Sequence, residues 1–280
     1  MIDKLKVVKN SQSRKPKTAS KNSVYLDANF YQIGKSLESA RLYLKYLCGI
    51  FQPKSVLDVG CGRGAWLKAC HELGATRLLG FDGEWNTKSL MIDDAIEFQG
   101  IDLSKPFFVP EKVDLTISVE VAEHLEPKVA PQFVRCLTEC SDMILFSAAY
   151  LNQGGTNHIN EQQHSYWAKL FAAHDFYPFD LFRPIFWGNE DIAYWYRQNV
   201  FLYIRKNSSA WQLIVNSGHK NMADINFMNC IHPDALGFSS HLVALFPSFI
   251  QAIRKRLFTV KGKKNNYAEL DQGRRQSTQK

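Results

Sequence analysis

The stretch VLDVGCGRGAW, Val56–Trp66, constrains this chain more than any other. An apolar run ending in an acid and followed by glycines at 60, 62 and 64 reads as a strand handing over to a helix. A run that apolar suits a parallel strand covered on both faces. Glycine admits positive φ and lets a ligand approach the backbone; a plain packing turn would leave unexplained the acids Asp82 and Asp102 at the two following strand ends. A nucleoside triphosphate site would want GxxxxGK with Ser or Thr next, and no such Lys is present. A dinucleotide turn would read GxGxxG; this one is a residue shorter, with Asp58 before it. That acid would repel pyrophosphate and suits a ligand carrying an ammonium group.

Beyond this turn the chain alternates short apolar runs with helical periodicity, which predicts an α/β sheet. Helices are expected over 37–51, 65–73, 131–140 and 165–173, and strands over 76–82, 95–100, 113–119 and 142–148. A last antiparallel pair should end in NVFLYI, 199–204. Residues 241–258 read as an amphipathic helix with basic residues at its end, interrupted by Pro247. The expected organisation is a basic tail (1–22), one main domain (23–206) and a C-terminal extension (207–280).

The net charge of +7 suggests nucleic acid until it is divided along the chain. Residues 1–22 hold seven Lys or Arg against one acid, and 254–280 hold nine against two. Taken from totals of 34 and 27, this leaves 18 basic and 24 acidic residues, net −6, for 23–253. The body is acidic, and basic ends are usually solvated tails, so nucleic acid is not the expected partner. The six cysteines include no CxxC pair and are expected as reduced thiols. The first twenty residues contain no apolar h-region, and no apolar run reaches the roughly 18 residues of a membrane span. A cytoplasmic location is expected. The segment near Ile250–Phe258 is expected to pack on the domain, with peripheral contact to an anionic membrane as the alternative.

Two further acids complete the cofactor reading. Asp82 lies eighteen residues after Gly64, where a carboxylate can accept both hydroxyls of a ribose. Asp102, in GIDLS, follows the next strand and is placed to accept from an exocyclic amine. Ribose, adenine and an amino acid together describe S-adenosylmethionine.

Here the chain resembles the class I S-adenosylmethionine-dependent methyltransferases, from about Val24 to Lys206. VLDVGCGRG matches their first motif, GFDG the ribose acid, GIDLS the adenine-side acid and DLTISVEVAEHL the motif after strand four. The resemblance implies a Rossmann-like three-layer α/β fold with a mostly parallel seven-stranded sheet. It also implies a cofactor held by Asp58, Gly60, Gly62, Gly64, Asp82, Gly83, Asp102 and Leu103, with the sulfonium near Ser118 and Glu120. GGTNHINEQ, LFRPIFW and WYRQNVFLYI more narrowly resemble bacterial methyltransferases found among genes for surface-polysaccharide or secondary-metabolite assembly.

Methyl transfer needs an acceptor held in line at about 3–3.5 Å, and an oxygen acceptor also needs its proton removed. Glu120, Glu123 and His124 stand at one strand end, and His158, Glu161 and His164 in the loop after the fifth strand. In one reading His124 or His158 is a general base oriented by Glu123 or Glu161. In another, Glu120, Glu123, His124 and His158 hold a divalent metal. The ExxEH spacing is similar to that of metal-dependent small-RNA 2′-O-methyltransferases and some quinone O-methyltransferases. The bland reading places Glu123 at a helix start and His124 in a polar pocket.

Aromatic residues between Tyr166 and Tyr203 are expected mostly in the core, a minority walling an acceptor pocket. Arg183 is expected to pair with an acid, and Arg197 is open. The expected activity is methyl transfer to an oxygen of a small-molecule or glycan acceptor. Its rivals are metal-assisted RNA 2′-O-methylation and a non-catalytic cofactor-binding scaffold for a glycan-assembly partner. The sequence does not set the oligomeric state.

Overall fold

The computed structural model describes residues 32–236. Of these, residues 32–230 belong to one compact unit and 231–236 to a second, whose described residues include a 3-10 turn at Pro233–Leu236. The basic tail at 1–22 and the amphipathic segment at 241–258 lie outside the described residues.

The chain enters through α1 (Ile33–Cys48), whose Ser39, Ala40, Tyr43, Leu44 and Leu47 recur at helical spacing and are buried. The helix ends at Gly49, before Pro53. There follow β1 (Ser55–Val59), α2 (Ala65–Glu72), β2 (Arg77–Asp82), β3 (Ile96–Gly100), β4 (Leu115–Val119), α3 (Ala130–Cys140) and β5 (Met143–Ser147). Each matches an element expected from periodicity to within about two residues. The second half contains α4 (His164–Ala172), β6 (Phe176–Phe179), α5 (Arg183–Phe186), α6 (Tyr194–Asn199), β7 (Phe201–Arg205) and α7 (Ser209–Asn216). The last strand begins two residues later than expected, because Gln198 and Asn199 close α6. Helix α7 is capped by Ser208, whose Oγ accepts the Trp211 N–H at 3.1 Å.

The seven strands form one sheet in the order β3-β2-β1-β4-β5-β7-β6. The β1/β2, β2/β3, β1/β4 and β4/β5 pairs are parallel, and β7 is antiparallel to both β5 and β6. This is a Rossmann-like α/β fold with a reversed strand at one side. Leu57 pairs with Leu79 on one side and Thr116 on the other, so the order reverses at β1. In such sheets the crevice opens outside the carboxyl ends of the strands flanking the reversal.

Two apolar clusters make up the core. One gathers α1, α2 and residues such as Leu78, Ile117 and Leu202; the other gathers α3, α4 and residues such as Leu57, Phe146 and Tyr203. Most of the expected aromatics belong here: Trp167 is buried, and Phe171 stacks on Tyr203 at 4.1 Å. Arg183 pairs with Asp180 at 2.7 Å and donates to the Met228 carbonyl. All six cysteines are free thiols. Among the described residues, no helix is long and apolar enough to cross a membrane.

Candidate active site

At the reversal point the β1–α2 turn takes a conformation that only glycine adopts at ease. Gly60, Gly62 and Gly64 have φ of 86°, 54° and 86°. A β-carbon on Gly60 would lie 2.3 Å from Val121 Cγ2, so the β1 turn and the end of β4 meet backbone against side chain. Asp82, at the end of β2, braces the turn: one carboxylate oxygen accepts the Gly62 N–H and the other the Gly83 N–H, both at 2.6 Å. Burial raises its pKa, opposed by these two bonds. Asn86 extends the brace, accepting from Arg63 at 2.6 Å and donating to the Gly62 carbonyl.

The turn opens into a cavity of about 1280 Å³. That exceeds the roughly 300–1,000 Å³ usual for one small-molecule site, leaving room for two reactants. Of the expected cofactor residues, Gly60, Gly62, Asp82, Gly83, Asp102, Leu103 and Glu120 line it. Gly64, Asp58 and Ser118 do not. Gly64 instead begins α2 as its left-handed cap. Asp58 is buried beneath the turn with Oδ2 unbonded, and burial, then the nearby Asp82 charge, drives its pKa well up. The Ser118 hydroxyl is likewise buried and unbonded. Asp102 is exposed, its carboxylate held by the Ser104 hydroxyl at 2.6 Å and Lys105 at 3.3 Å, and the Ser104 bond lowers its pKa. Sequence reasoning passed over Glu84 and Trp85, which also line the cavity. The Trp85 ring occupies the space a side chain on Gly83 would need.

The expected catalytic groups come together at the other end. Val121 leads into a short 3-10 turn, Ala122–His124, that carries Glu123 and His124. The loop after β5 docks on it, with the Ile159 and Asn160 N–H groups donating to the Glu123 carbonyl at 2.9 and 3.0 Å. This brings the His158 ring 5.0 Å from His124, with Nε2 4.0 Å from Glu123 Oε1. His158 Nδ1 donates to Glu161 Oε1 at 2.9 Å, which fixes the tautomer and leaves Nε2 as the proton-accepting atom. Gly155 makes room for the ring: a β-carbon there would fall 2.3–2.7 Å from three imidazole atoms.

Glu123, His124 and His158 each offer a ligand atom, all within 4.8 Å of one another. Both Glu123 carboxylate oxygens are buried without a hydrogen-bond partner, and burial pushes that pKa well up. Burial lowers His124 to about 4, keeping it neutral as a metal ligand must be. This donor set fits a divalent ion. Glu120 stands apart from it, bonded to Ser147, Gln153 and Asn199. His164 also lies elsewhere, buried between the Met228 carbonyl at 2.7 Å and Asn199 Oδ1 at 3.0 Å, where it joins α4 to its neighbours.

Residues 57–144 match a family model described as a methyltransferase domain. No curated protein matches the chain. Similar solved structures include human N-acetylserotonin methyltransferase in complex with S-adenosylmethionine, at 16% identity and a TM-score of 0.45. The likeness covers 66% of this chain and 56% of the human one, so the chain spans little more than half of that relative. Magnesium protoporphyrin IX methyltransferase from Synechocystis PCC 6803, with bound S-adenosylhomocysteine, is 16% identical with a TM-score of 0.48, over 64% of this chain and 88% of that one. An S-adenosylmethionine-dependent methyltransferase from Mesorhizobium loti is 15% identical with a TM-score of 0.43, over 60% and 98%.

Proposed function

Since residues 57–144 match a methyltransferase domain, we propose that this chain is a class I S-adenosylmethionine-dependent methyltransferase that methylates an oxygen of an uncharged, hydroxyl-bearing acceptor, a small molecule or glycan. The observation carrying this reading is the Glu161–His158 pair, which presents a lone pair at Nε2 beside the cavity. When bound, the cofactor supplies an electrophilic methyl group whose sulfonium leaves as a neutral thioether. His158 takes the acceptor hydroxyl proton at Nε2, and Glu161 stabilises the resulting imidazolium. Gln153, Asn157, Tyr194 and Trp195 line the same end and offer amides, a phenol and an aromatic face, groups that suit hydroxyls and sugar rings.

Charge argues against a phosphate-rich acceptor. The exposed carboxylates Glu84 and Asp102 line the cavity, along with the more buried Asp82, Glu120 and Glu123, whose pKa values burial raises, and its basic lining residues among those described are Arg63 and Lys105. Lys105 pairs with Asp102 and Arg63 donates to Asn86. Such walls repel a polyanion, which weighs against RNA.

The orphaned Glu123 oxygens support a second reading, in which Glu123, His124 and His158 hold a divalent ion against the acceptor oxygen. A methyl-transfer assay over neutral sugars and phenols, phosphorylated counterparts and RNA, with and without EDTA, separates the readings. Turnover of neutral acceptors that survives EDTA is expected; loss on chelation with recovery by Mg²⁺ moves the assignment to the metal. A preference for RNA sinks the neutral-acceptor reading.

Asp82 is the proposed ribose ligand, as well as the brace of the glycine turn. Asp82→Ala is expected to raise the Kd for S-adenosylhomocysteine by about ten- to a hundredfold, the effect of losing charged hydrogen bonds worth about 1.5–3 kcal/mol. Calorimetric titration checks this, and unchanged affinity would remove Asp82 from the nucleoside site.

A further inference from the structure

The connection that leaves β2 grips the glycine turn at three successive backbone groups. The Asp82 carboxylate accepts the Gly62 N–H at 2.6 Å, the Asn86 side-chain amide donates to the Gly62 carbonyl, and the Ile92 N–H donates to the Arg63 carbonyl at 3.0 Å. Gly62 is thus held at both ends, with φ at 54°.

The direction of the Asn86 amide is fixed by the chemistry of its partners. Its Oδ1 accepts from Arg63 Nη1 at 2.6 Å and from the Thr87 N–H at 3.1 Å. A guanidinium and a backbone N–H only donate, so the amide oxygen must face them and the amide nitrogen must face the Gly62 carbonyl. Asn86 is 3% exposed, and its own backbone N–H closes the turn on the Gly83 carbonyl at 3.0 Å.

A peptide group is planar and trans, so its carbonyl and the following N–H point in opposite directions. Holding the Gly62 carbonyl toward Asn86 therefore holds the Arg63 N–H away from it, and one side-chain bond sets the orientation of the whole Gly62–Arg63 peptide. Gly62 and Arg63 line the cavity, whereas Asn86 does not. Half a turn of this peptide would exchange carbonyl for N–H and reverse the polarity of the wall at that point. Glycine, with no β-carbon, offers little resistance to such a turn.

We propose that Asn86 is a positioning residue for the cofactor: from outside the cavity it holds the Gly62–Arg63 peptide in the orientation that receives the amino-acid arm. This rests on the reading of the cavity as the cofactor site, with the ribose at Asp82 and the arm along the glycine turn.

The test is calorimetric titration of the full chain with S-adenosylhomocysteine and with 5′-methylthioadenosine, which keeps the nucleoside and thioether and lacks the amino-acid arm. Thermal unfolding is measured alongside. Asn86→Asp keeps the size of the side chain and an oxygen for Arg63, and sets a second oxygen against the Gly62 carbonyl. Its Kd for S-adenosylhomocysteine should rise about tenfold, because only the fraction of chains with the peptide still correctly turned binds the arm. Its Kd for 5′-methylthioadenosine should stay within about twofold. Asn86→Ala, which buries no new charge, should behave alike. Thr87→Ala, in the same connection but outside the cavity, keeps the backbone N–H and should change neither Kd. Equal losses for the two ligands would mark Asn86 as merely structural and overturn the proposal, as would unchanged S-adenosylhomocysteine affinity in either folded variant or failure of both variants to fold. Failure of wild type to bind S-adenosylhomocysteine overturns the cofactor reading itself, a distinct outcome.

Discussion

Gly60→Ala is expected to raise the Kd for S-adenosylhomocysteine by about a hundredfold and to destabilise the fold by about 2–5 kcal/mol. Two costs combine. The residue holds φ at +86°, which costs a side-chain-bearing residue about 1–2 kcal/mol. The new β-carbon would also stand 2.3 and 2.8 Å from the two Val121 methyls, and overpacking of that kind typically costs about 1–3 kcal/mol. Val121 cannot withdraw freely, because it leads directly into the turn carrying Glu123 and His124. The distortion therefore spreads from the cofactor half of the crevice to the catalytic half. Gly74→Ala is the control: φ there is +96°, but the nearest atom to the added carbon is Lys54 Nζ at 3.9 Å, outside the cavity. It should cost about 1–2 kcal/mol of stability and leave ligand affinity unchanged. Calorimetry paired with thermal unfolding distinguishes these outcomes, and wild-type affinity in Gly60→Ala would refute the close-approach argument.

His158→Ala should lower kcat by about 10²–10⁴-fold while leaving S-adenosylhomocysteine affinity within about twofold, the signature of a group that acts on the acceptor. The ring is held by Glu161 on one nitrogen and given space by Gly155, so the variant removes one proton acceptor without disturbing the glycine turn. Glu161→Gln keeps the shape and loses the charge that stabilises the imidazolium. It should cost kcat about ten- to a hundredfold, the range seen when a group orienting a histidine is removed. Steady-state kinetics with the best acceptor from the screen measure both. A parallel loss of cofactor affinity in His158→Ala would show that the ring serves binding instead of proton transfer.

Much of the architecture was legible from residue order. Strands β1 to β5 announce themselves because a central parallel strand is apolar on both faces, and the alternate glycines mark the turn where backbone must come close to something else. Acids at the ends of β1, β2 and β3 pointed to the nucleoside half of the crevice, and the ExxEH pattern and HINEQ pointed to the catalytic half. These are local signals: each rests on a few neighbouring residues and a period.

Only the tertiary structure decided which of these residues meet. Position along the chain does not say that Glu123 Oε1 and His158 Nε2 lie 4.0 Å apart, because that follows from a loop docked on a carbonyl thirty-odd residues away. Nor does it separate His158 from His164, six residues on, which points into the core. Glu120 looked equivalent to Glu123 in the motif. A left-handed backbone and the amide of Asn199, seventy-nine residues distant, turn it elsewhere. A period or a motif reports which face a residue occupies, whereas the direction of a carboxylate is set by donors that the sheet brings in from distant strands and loops.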